Sequence, residues 1–178
     1  MRRATAALLS AVVAAALVDS HVDWETVDGQ ALLDVDGTRF DPRGWARDRL
    51  AGVGHDCAAL ERVAADSAVG ASAAAAVARH SPPDSAHARW HQALQQGQWL
   101  VAELSFERLS PAVALLQRRG DGWQLHPTAI WSGSTAPWNP APRIRDHLRQ
   151  QAPDAPEALL ACFRPLQDFR AAALLRTG

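Results

Sequence analysis

Strand-like alternation between Gln98 and Trp138 leaves this chain few possible folds. Alternate positions from Leu100 to Phe106 are apolar, which is the period of a strand with one buried face. A second apolar run follows at 112–117, and Gly120-Asp121 then supplies residues that tolerate the backbone of a tight turn. The chain is therefore expected to return as a third strand over 123–131.

Tryptophans concentrate on the predicted return strand and on the loop after it. Trp123 and Trp131 are an even number of residues apart, so a regular strand places them on one side, together with Leu125 and Ala129. Pro127 lies inside the same strand and suggests an edge position or a bulge, because proline cannot donate to the hydrogen-bond ladder.

Two hairpin-type dipeptides, Asp28-Gly29 and Asp36-Gly37, lie close together near the N-terminus. Such dipeptides connect short antiparallel strands. Their spacing predicts a small meander of three strands, 24–27, 31–35 and 38–40. Asp41-Pro42 then ends the last strand and opens a short helix through Leu50.

Helical segments are predicted on both sides of the strand-rich stretch. Alanine-rich composition predicts a helix from Cys57 to Arg79, and the Pro82-Pro83 break starts another helix that ends at Gly97. Two further helices are predicted near the C-terminus, 142–151 and 156–163.

The order of these elements predicts an α+β fold. A small antiparallel sheet, made of the N-terminal meander and a three-stranded unit over 98–131, is expected to be covered on one side by helices. The chain of 178 residues has the size of one domain, and residues 17–178 are expected to form it.

Residues 1–16 have the three parts of a secretory signal peptide. Arg2-Arg3 forms a basic start, an uncharged apolar run extends over 4–18, and alanines precede the expected cleavage site after Ala16. The run is shorter than the roughly 20 residues that span a bilayer, so an uncleaved anchor is the second interpretation. We expect a periplasmic or secreted protein without a membrane span after cleavage.

The charged residues exclude several partners and mechanisms. All 18 basic side chains are arginines, there is no lysine or tyrosine, and the formal net charge is −1. The arginines are scattered and form no basic stripe, so nucleic acid is not an expected partner. No motif indicates a bound cofactor.

The two cysteines, Cys57 and Cys162, fall in segments with apolar helical patterns. A pair of cysteines in an exported protein is typically bonded. We therefore predict a Cys57–Cys162 disulfide that holds the C-terminal helices to the middle of the chain, with two buried thiols as the alternative.

A seven-residue stretch from Leu32 to Thr38 resembles the first motif of the haloacid dehalogenase superfamily, an apolar strand followed by Asp-x-Asp-Gly-Thr. The resemblance implies a magnesium-dependent phosphatase on a parallel sheet. It implies that Asp34 is the nucleophile, that Asp36 is the general acid and base, and that Ser132 binds phosphate. The family also uses a lysine, which this chain lacks.

Two histidines are candidates for a metal site. His87 and His91 are four residues apart on the helix predicted to end at Gly97, so both rings are expected on one helix face. The alternative interpretation is a polar helix face beside Trp90, and we predict no metal site.

The loop after the return strand is the predicted binding site. Trp131 and Trp138 flank a polar segment that contains Ser132 and Ser134, and exposed aromatic residues beside a polar loop are typical of binding surfaces. The segment resembles the Ser-Gly loop of periplasmic lysozyme inhibitors, which carry a tyrosine where this chain has Ala136.

These observations favour an exported, non-catalytic binding protein, such as an inhibitor or immunity-type partner of another envelope protein. The expected ligand is another protein or a cell-envelope glycan. The alternatives are the phosphatase that uses Asp34 and Asp36, and an envelope structural or assembly factor. We expect no enzyme activity, because each catalytic interpretation lacks a residue that its mechanism needs.

Overall fold

Two turns with positive φ angles build the N-terminal sheet of this computed structural model, which describes residues 21–80, 82, 83 and 85–170. Asp28 and Gly29 have φ of 49° and 71°, and Asp36 and Gly37 have φ of 51° and 81°. These angles are those of two-residue hairpin turns. The turns join three antiparallel strands, which confirms the predicted meander: β1 (Val22–Val27), β2 (Gln30–Val35) and β3 (Thr38–Phe40).

A second sheet of five antiparallel strands forms the centre of the molecule, with the spatial order β4-β5-β6-β7-β8. The three strands predicted after Gln98 are present, and Arg119 pairs with Gly122 across the predicted two-residue turn. Its strands are β4 (Glu61–Arg62), β5 (Arg89–Gln96), β6 (Trp99–Ser105), β7 (Ala112–Arg119) and β8 (Gly122–Ser132).

The prediction of a helix that ends at Gly97 is wrong, because residues 89–96 form strand β5. Gly97, with φ of 60°, turns the chain so that β5 pairs with β6. Ala93 and Leu94 are adjacent and both buried, so both faces of this strand are covered. The polar composition of the segment does not indicate a strand, because this strand is stabilised by packing against its neighbours rather than by its own residues.

The helix predicted from Cys57 to Arg79 is shorter in the structure. A 3₁₀ turn at Cys57–Ala59 and strand β4 occupy the first part, and helix α2 (Ala68–Ala78) occupies the second. The hydroxyl of Ser67 accepts a hydrogen bond from the backbone N–H of Gly70 at 3.0 Å, which fixes the start of α2.

The other helices follow the prediction within one or two residues, and they are α1 (Pro42–Leu50), α3 (Pro140–Gln151) and α4 (Glu157–Cys162). The buried carboxyl of Asp41 joins the starts of α1 and α3. It accepts hydrogen bonds from the backbone N–H of Gly44 at 2.7 Å and of Asn139 at 3.1 Å. The bonds position α3 against α1.

Helices cover both faces of the five-stranded sheet, so the expectation of a one-sided sheet is wrong. One buried cluster lies under α3 and α4 and includes Val101, Leu115 and Phe163. The other lies under α2 and includes Leu100 and Leu116. The fold is α+β as predicted, with the sheet between two layers of helix.

A bulge at Pro127 changes which face each tryptophan of β8 occupies. Leu125 and Ile130 are five residues apart, but they pair with residues of β7 that are only two apart. The bulge therefore inserts three extra residues into β8. Because this number is odd, side chains after the bulge point to the face opposite to the one that regular strand alternation predicts. Trp123 belongs to the α2 side and Trp131 to the α3 side, so the expectation that they share one side is wrong.

A disulfide joins Cys57 to Cys162, as predicted, and links the 3₁₀ turn to α4. Such bonds persist in an oxidising compartment. The longest helix in the described part of the chain has 12 residues, and none there has the length and apolar character of a membrane span. The predicted signal peptide, residues 1–16, lies outside the described residues.

Candidate functional site

Cross-strand pairing in the meander brings apolar side chains onto one face. Leu33 of β2 pairs with Trp24 on one side and with Phe40 on the other. Directly opposed residues point to the same face of a sheet, so these three side chains form a row. The pair Val22 and Val35 extends the row by one position. We call these five residues the apolar face.

The apolar face is open to solvent. Trp24 is 67% exposed, Phe40 39% and Val35 38%. The opposite face of the meander is different, because Leu32 is fully buried there and Arg39 contacts Glu25 at 2.8 Å. One face of the meander is therefore anchored, and the other presents aromatic and aliphatic side chains without cover.

The meander is rich in acidic side chains, and two of them stand at the ends of the apolar face. Residues 21–41 carry six acidic side chains and a single arginine, Arg39. Asp28 and Asp36 stand in the two hairpin turns, at opposite ends of the meander, and both are exposed. The meander is therefore a strongly acidic part of a chain whose formal net charge is only −1.

Asp34 and Asp36 have local contacts within the meander. The carboxyl of Asp34 accepts a hydrogen bond from the backbone N–H of Gly37 at 2.7 Å, and Asp36 lies 2.7 Å from the ring of His21. The parallel sheet implied by the haloacid dehalogenase resemblance is not present, because every strand pair in the described residues is antiparallel. These aspartates build a hairpin, and their predicted catalytic role stays a prediction.

The four predicted binding residues, at the end of β8 and in the loop after it, do not form one surface. Trp131 is half-buried on the α3 side, with its ring edge-on to His147 at 5.4 Å between centroids. Ser132 is exposed on the opposite side of β8, opposite Ala112. Trp138 is buried, and the guanidinium of Arg143 lies over its ring at 4.5 Å.

The loop that carries Ser134 is tied to the end of the described chain. Ser134 donates to the carbonyl of Arg170 at 3.3 Å, and the backbone N–H of Thr135 donates to the carbonyl of Phe169 at 3.0 Å. Thr135 and Phe169 are both buried. The segment that the sequence presents as an exposed polar loop is thus part of the packing between β8 and α3.

His87 and His91 do not lie on one helix face. His87 is exposed in the turn before β5, whereas His91 is the extra residue of a bulge in that strand. The ring of His91 contacts the hydroxyl of Ser105 at 2.7 Å and the side-chain amide of Gln167 at 3.2 Å. In the described residues, no group of three or more histidine, cysteine or acidic side chains is placed to hold a metal ion.

A buried glutamate beside this histidine was missed by the sequence analysis. Glu103 of β6 is fully buried, and its carboxyl accepts hydrogen bonds from the backbone N–H groups of Leu166 and Gln167 and from the side chain of Gln92. Because all of these contacts are donated to it, the group is satisfied without an opposite charge. The signal in the sequence was an acid inside the apolar run at 100–104.

Ion pairs line a groove of about 410 Å³ between α1, α3 and α4. Asp146 contacts Arg47 at 2.7 Å and Arg149 at 2.9 Å, and Arg149 also contacts Glu157 at 2.6 Å. The hydrogen bond to Glu157 raises the pKa of Arg149. Burial lowers the pKa of Arg145, although its hydrogen bond to Asp48 acts in the opposite direction.

Arg47, Arg145 and Arg149 are each paired with a carboxylate, and these ion pairs link α1 to α3 and α3 to α4.

Comparison with protein-family models, with curated proteins and with solved structures finds no match to this chain.

Proposed function

We propose that this chain is an exported, non-catalytic binding protein, which uses the apolar face of its meander to bind another protein. One observation carries the proposal: Trp24, Leu33 and Phe40 form a row on an open sheet face, and Trp24 is two-thirds exposed. Soluble proteins seldom leave such rows uncovered unless a partner covers them.

The chemistry of the surrounding residues supports a basic partner. Tryptophan is over-represented among the residues that dominate binding energy, and the exposed carboxylates of Asp28 and Asp36 at the two ends of the apolar face favour a partner with a basic rim. An inhibitor or immunity-type partner of another envelope protein fits this description. A neutral glycan would use the aromatic rings and would gain nothing from the acidic residues.

Export is the second part of the proposal. It is supported by the disulfide and by the signal-like composition of residues 1–16. Intact mass of the protein recovered from expressing cells tests it, with thiol alkylation before and after reduction. We expect a species that begins near Leu17 and whose cysteines are labelled only after reduction. A full-length species with free thiols would contradict export.

Site-specific photo-crosslinking tests the binding face. A photoreactive phenylalanine derivative at Trp24 is compared with the same residue at Leu166, which is 68% exposed and lies far along the chain. We expect one discrete crosslinked protein from position 24, none of that size from position 166, and its loss when Phe40→Ser is added.

Binding to the purified crosslinked partner then separates the ligand classes. We expect affinity to fall when salt is raised and when Asp28 and Asp36 are both changed to asparagine, because the acidic residues attract a basic rim. The same crosslinked species from both positions, or affinity that is unaffected by Trp24→Ser, would refute the proposed face.

A further inference from the structure

A cavity of about 210 Å³ lies on the α2 side of the five-stranded sheet, away from the meander. It opens where α2 ends and where β6 passes into its connection with β7. Leu104 forms one wall and Ile130 another, and Leu109 of the connection reaches over from the exposed side. Its lining shares no residue with the apolar face.

The sequence explains why this space is not filled. Ala112 and Ala114 are the residues of β7 that face it, and their methyl groups leave a shallow floor. Helix α2 is composed mainly of alanine and ends at Ala78, and Val77 is its one residue in the described lining, so it places no aromatic or long aliphatic side chain above that floor. Larger residues at these positions would close the cavity, as in an ordinary core.

The lining is apolar at the floor and polar at the rim. Ser132 pairs directly with Ala112 across the two strands, so its hydroxyl stands at the edge of the floor. Ser110 and His80 line the same opening, and both Ser132 and His80 are exposed. Among the residues that the structure describes, the lining contains no aspartate, glutamate or arginine.

We propose that this cavity binds a single-ring aromatic compound that carries one hydroxyl or carboxyl group. The volume limits the ligand, since pockets for drug-sized molecules begin at roughly 300 Å³ and a cavity of roughly 150 Å³ holds benzene. The flat floor of Ala112 and Ala114 suits the face of a ring better than a flexible chain. The polar substituent lies at the rim, where Ser132 bonds to it.

Fluorine NMR with 4-fluorophenol tests the site in the full chain. We expect saturable binding with a dissociation constant of about 0.1 to 1 mM, as is reasonable for a ligand of this size. Fluorobenzene, which lacks the hydroxyl, is expected to bind at the same site about threefold to tenfold more weakly. Octanoate serves as the flexible chain of similar size.

Three variants separate the floor from the rim. Ala114→Leu fills the floor and is expected to weaken binding at least about tenfold. Ser132→Phe blocks the opening at an exposed position, so it tests whether loss of the cavity weakens binding without a change in the core. Ser132→Ala keeps the cavity volume. It is expected to weaken the binding of 4-fluorophenol and to leave the binding of fluorobenzene unchanged. Ala136→Leu, at an exposed position outside the lining, is the control.

Each failure has a distinct form. Absence of saturable binding by the wild type, or wild-type affinity in both Ala114→Leu and Ser132→Phe, would overturn the site. Tighter binding of octanoate than of 4-fluorophenol would overturn the ligand class. None of these results depends on the meander, so they leave the proposed protein-binding face to its own test.

Discussion

Glu103 Oε1 accepts a hydrogen bond from the backbone N–H of Gln167 at 2.6 Å, across 64 positions of the sequence. The bond holds the segment after α4 against the middle of β6. Since the carboxyl of Glu103 is fully buried, it cannot exchange these donors for water. Glu103 is therefore one of the contacts that fix the position of the segment after α4.

Removal of the Glu103 carboxyl is expected to destabilise the folded protein. Glu103→Ala leaves two backbone N–H groups without an acceptor and creates a cavity, so we expect a loss of about 3 kcal/mol in the free energy of unfolding. Glu103→Gln keeps one acceptor oxygen and should lose less. Denaturant unfolding measures both, with Glu61→Ala at an exposed position as the control. Equal stability of Glu103→Ala and wild type would show that the contact is not needed.

The disulfide is expected to provide a large part of the stability. Cys57 and Cys162 are 105 positions apart, and closing a loop of that length in the unfolded chain contributes roughly 4 to 5 kcal/mol in the chain-entropy treatment. The double variant Cys57→Ser, Cys162→Ser should lose a comparable amount in denaturant unfolding. Reduction of the wild type should give the same loss, whereas reduction of the double variant should change nothing.

Local patterns were sufficient for the parts of the fold that depend on short-range chemistry. The Asp-Gly turns of the meander, the Gly120-Asp121 hairpin and the start of α1 at Pro42 were all predicted, because turn and cap residues act on their immediate neighbours.

Strand β5 was not predictable in this way. Its polar sequence resembles a helix, and only pairing with β6 makes it a strand. Tertiary contacts and the bulge likewise decide where the predicted binding residues lie, and their role stays a prediction. Trp138 is covered by α3 and Arg143, a tertiary contact with no local signal, and the bulge at Pro127 moved Trp131 to the other side of the sheet from Trp123.

The Arg149–Glu157 pair predicts a dependence of stability on pH. The hydrogen bond from Arg149 holds the pKa of Glu157 below its ordinary value of 4.5. The unfolded chain therefore binds the proton more readily, and the contribution is present above pH 4.5 and is lost as the pH falls through the folded-state pKa.

Glu157→Gln measures this contribution. We expect it to lower the free energy of unfolding at neutral pH by less than about 1 kcal/mol, since both side chains are partly exposed. The difference from wild type should shrink in acid. Glu107→Gln, exposed on the connection between β6 and β7, is the control. A difference that grows as the pH falls would contradict the assigned direction.

Asp34→Asn separates the binding protein from the phosphatase that the Asp34-Val35-Asp36 motif suggests. The amide oxygen of asparagine can still accept the hydrogen bond from Gly37, so the hairpin is expected to form and binding through the apolar face is expected to persist. A nucleophilic aspartate cannot be replaced in this way, because the amide does not form the phosphoryl intermediate. Because the chain also lacks the lysine that this family uses, we expect no magnesium-dependent hydrolysis of p-nitrophenyl phosphate by wild type or variant. Hydrolysis that requires magnesium and disappears in Asp34→Asn would establish the phosphatase instead.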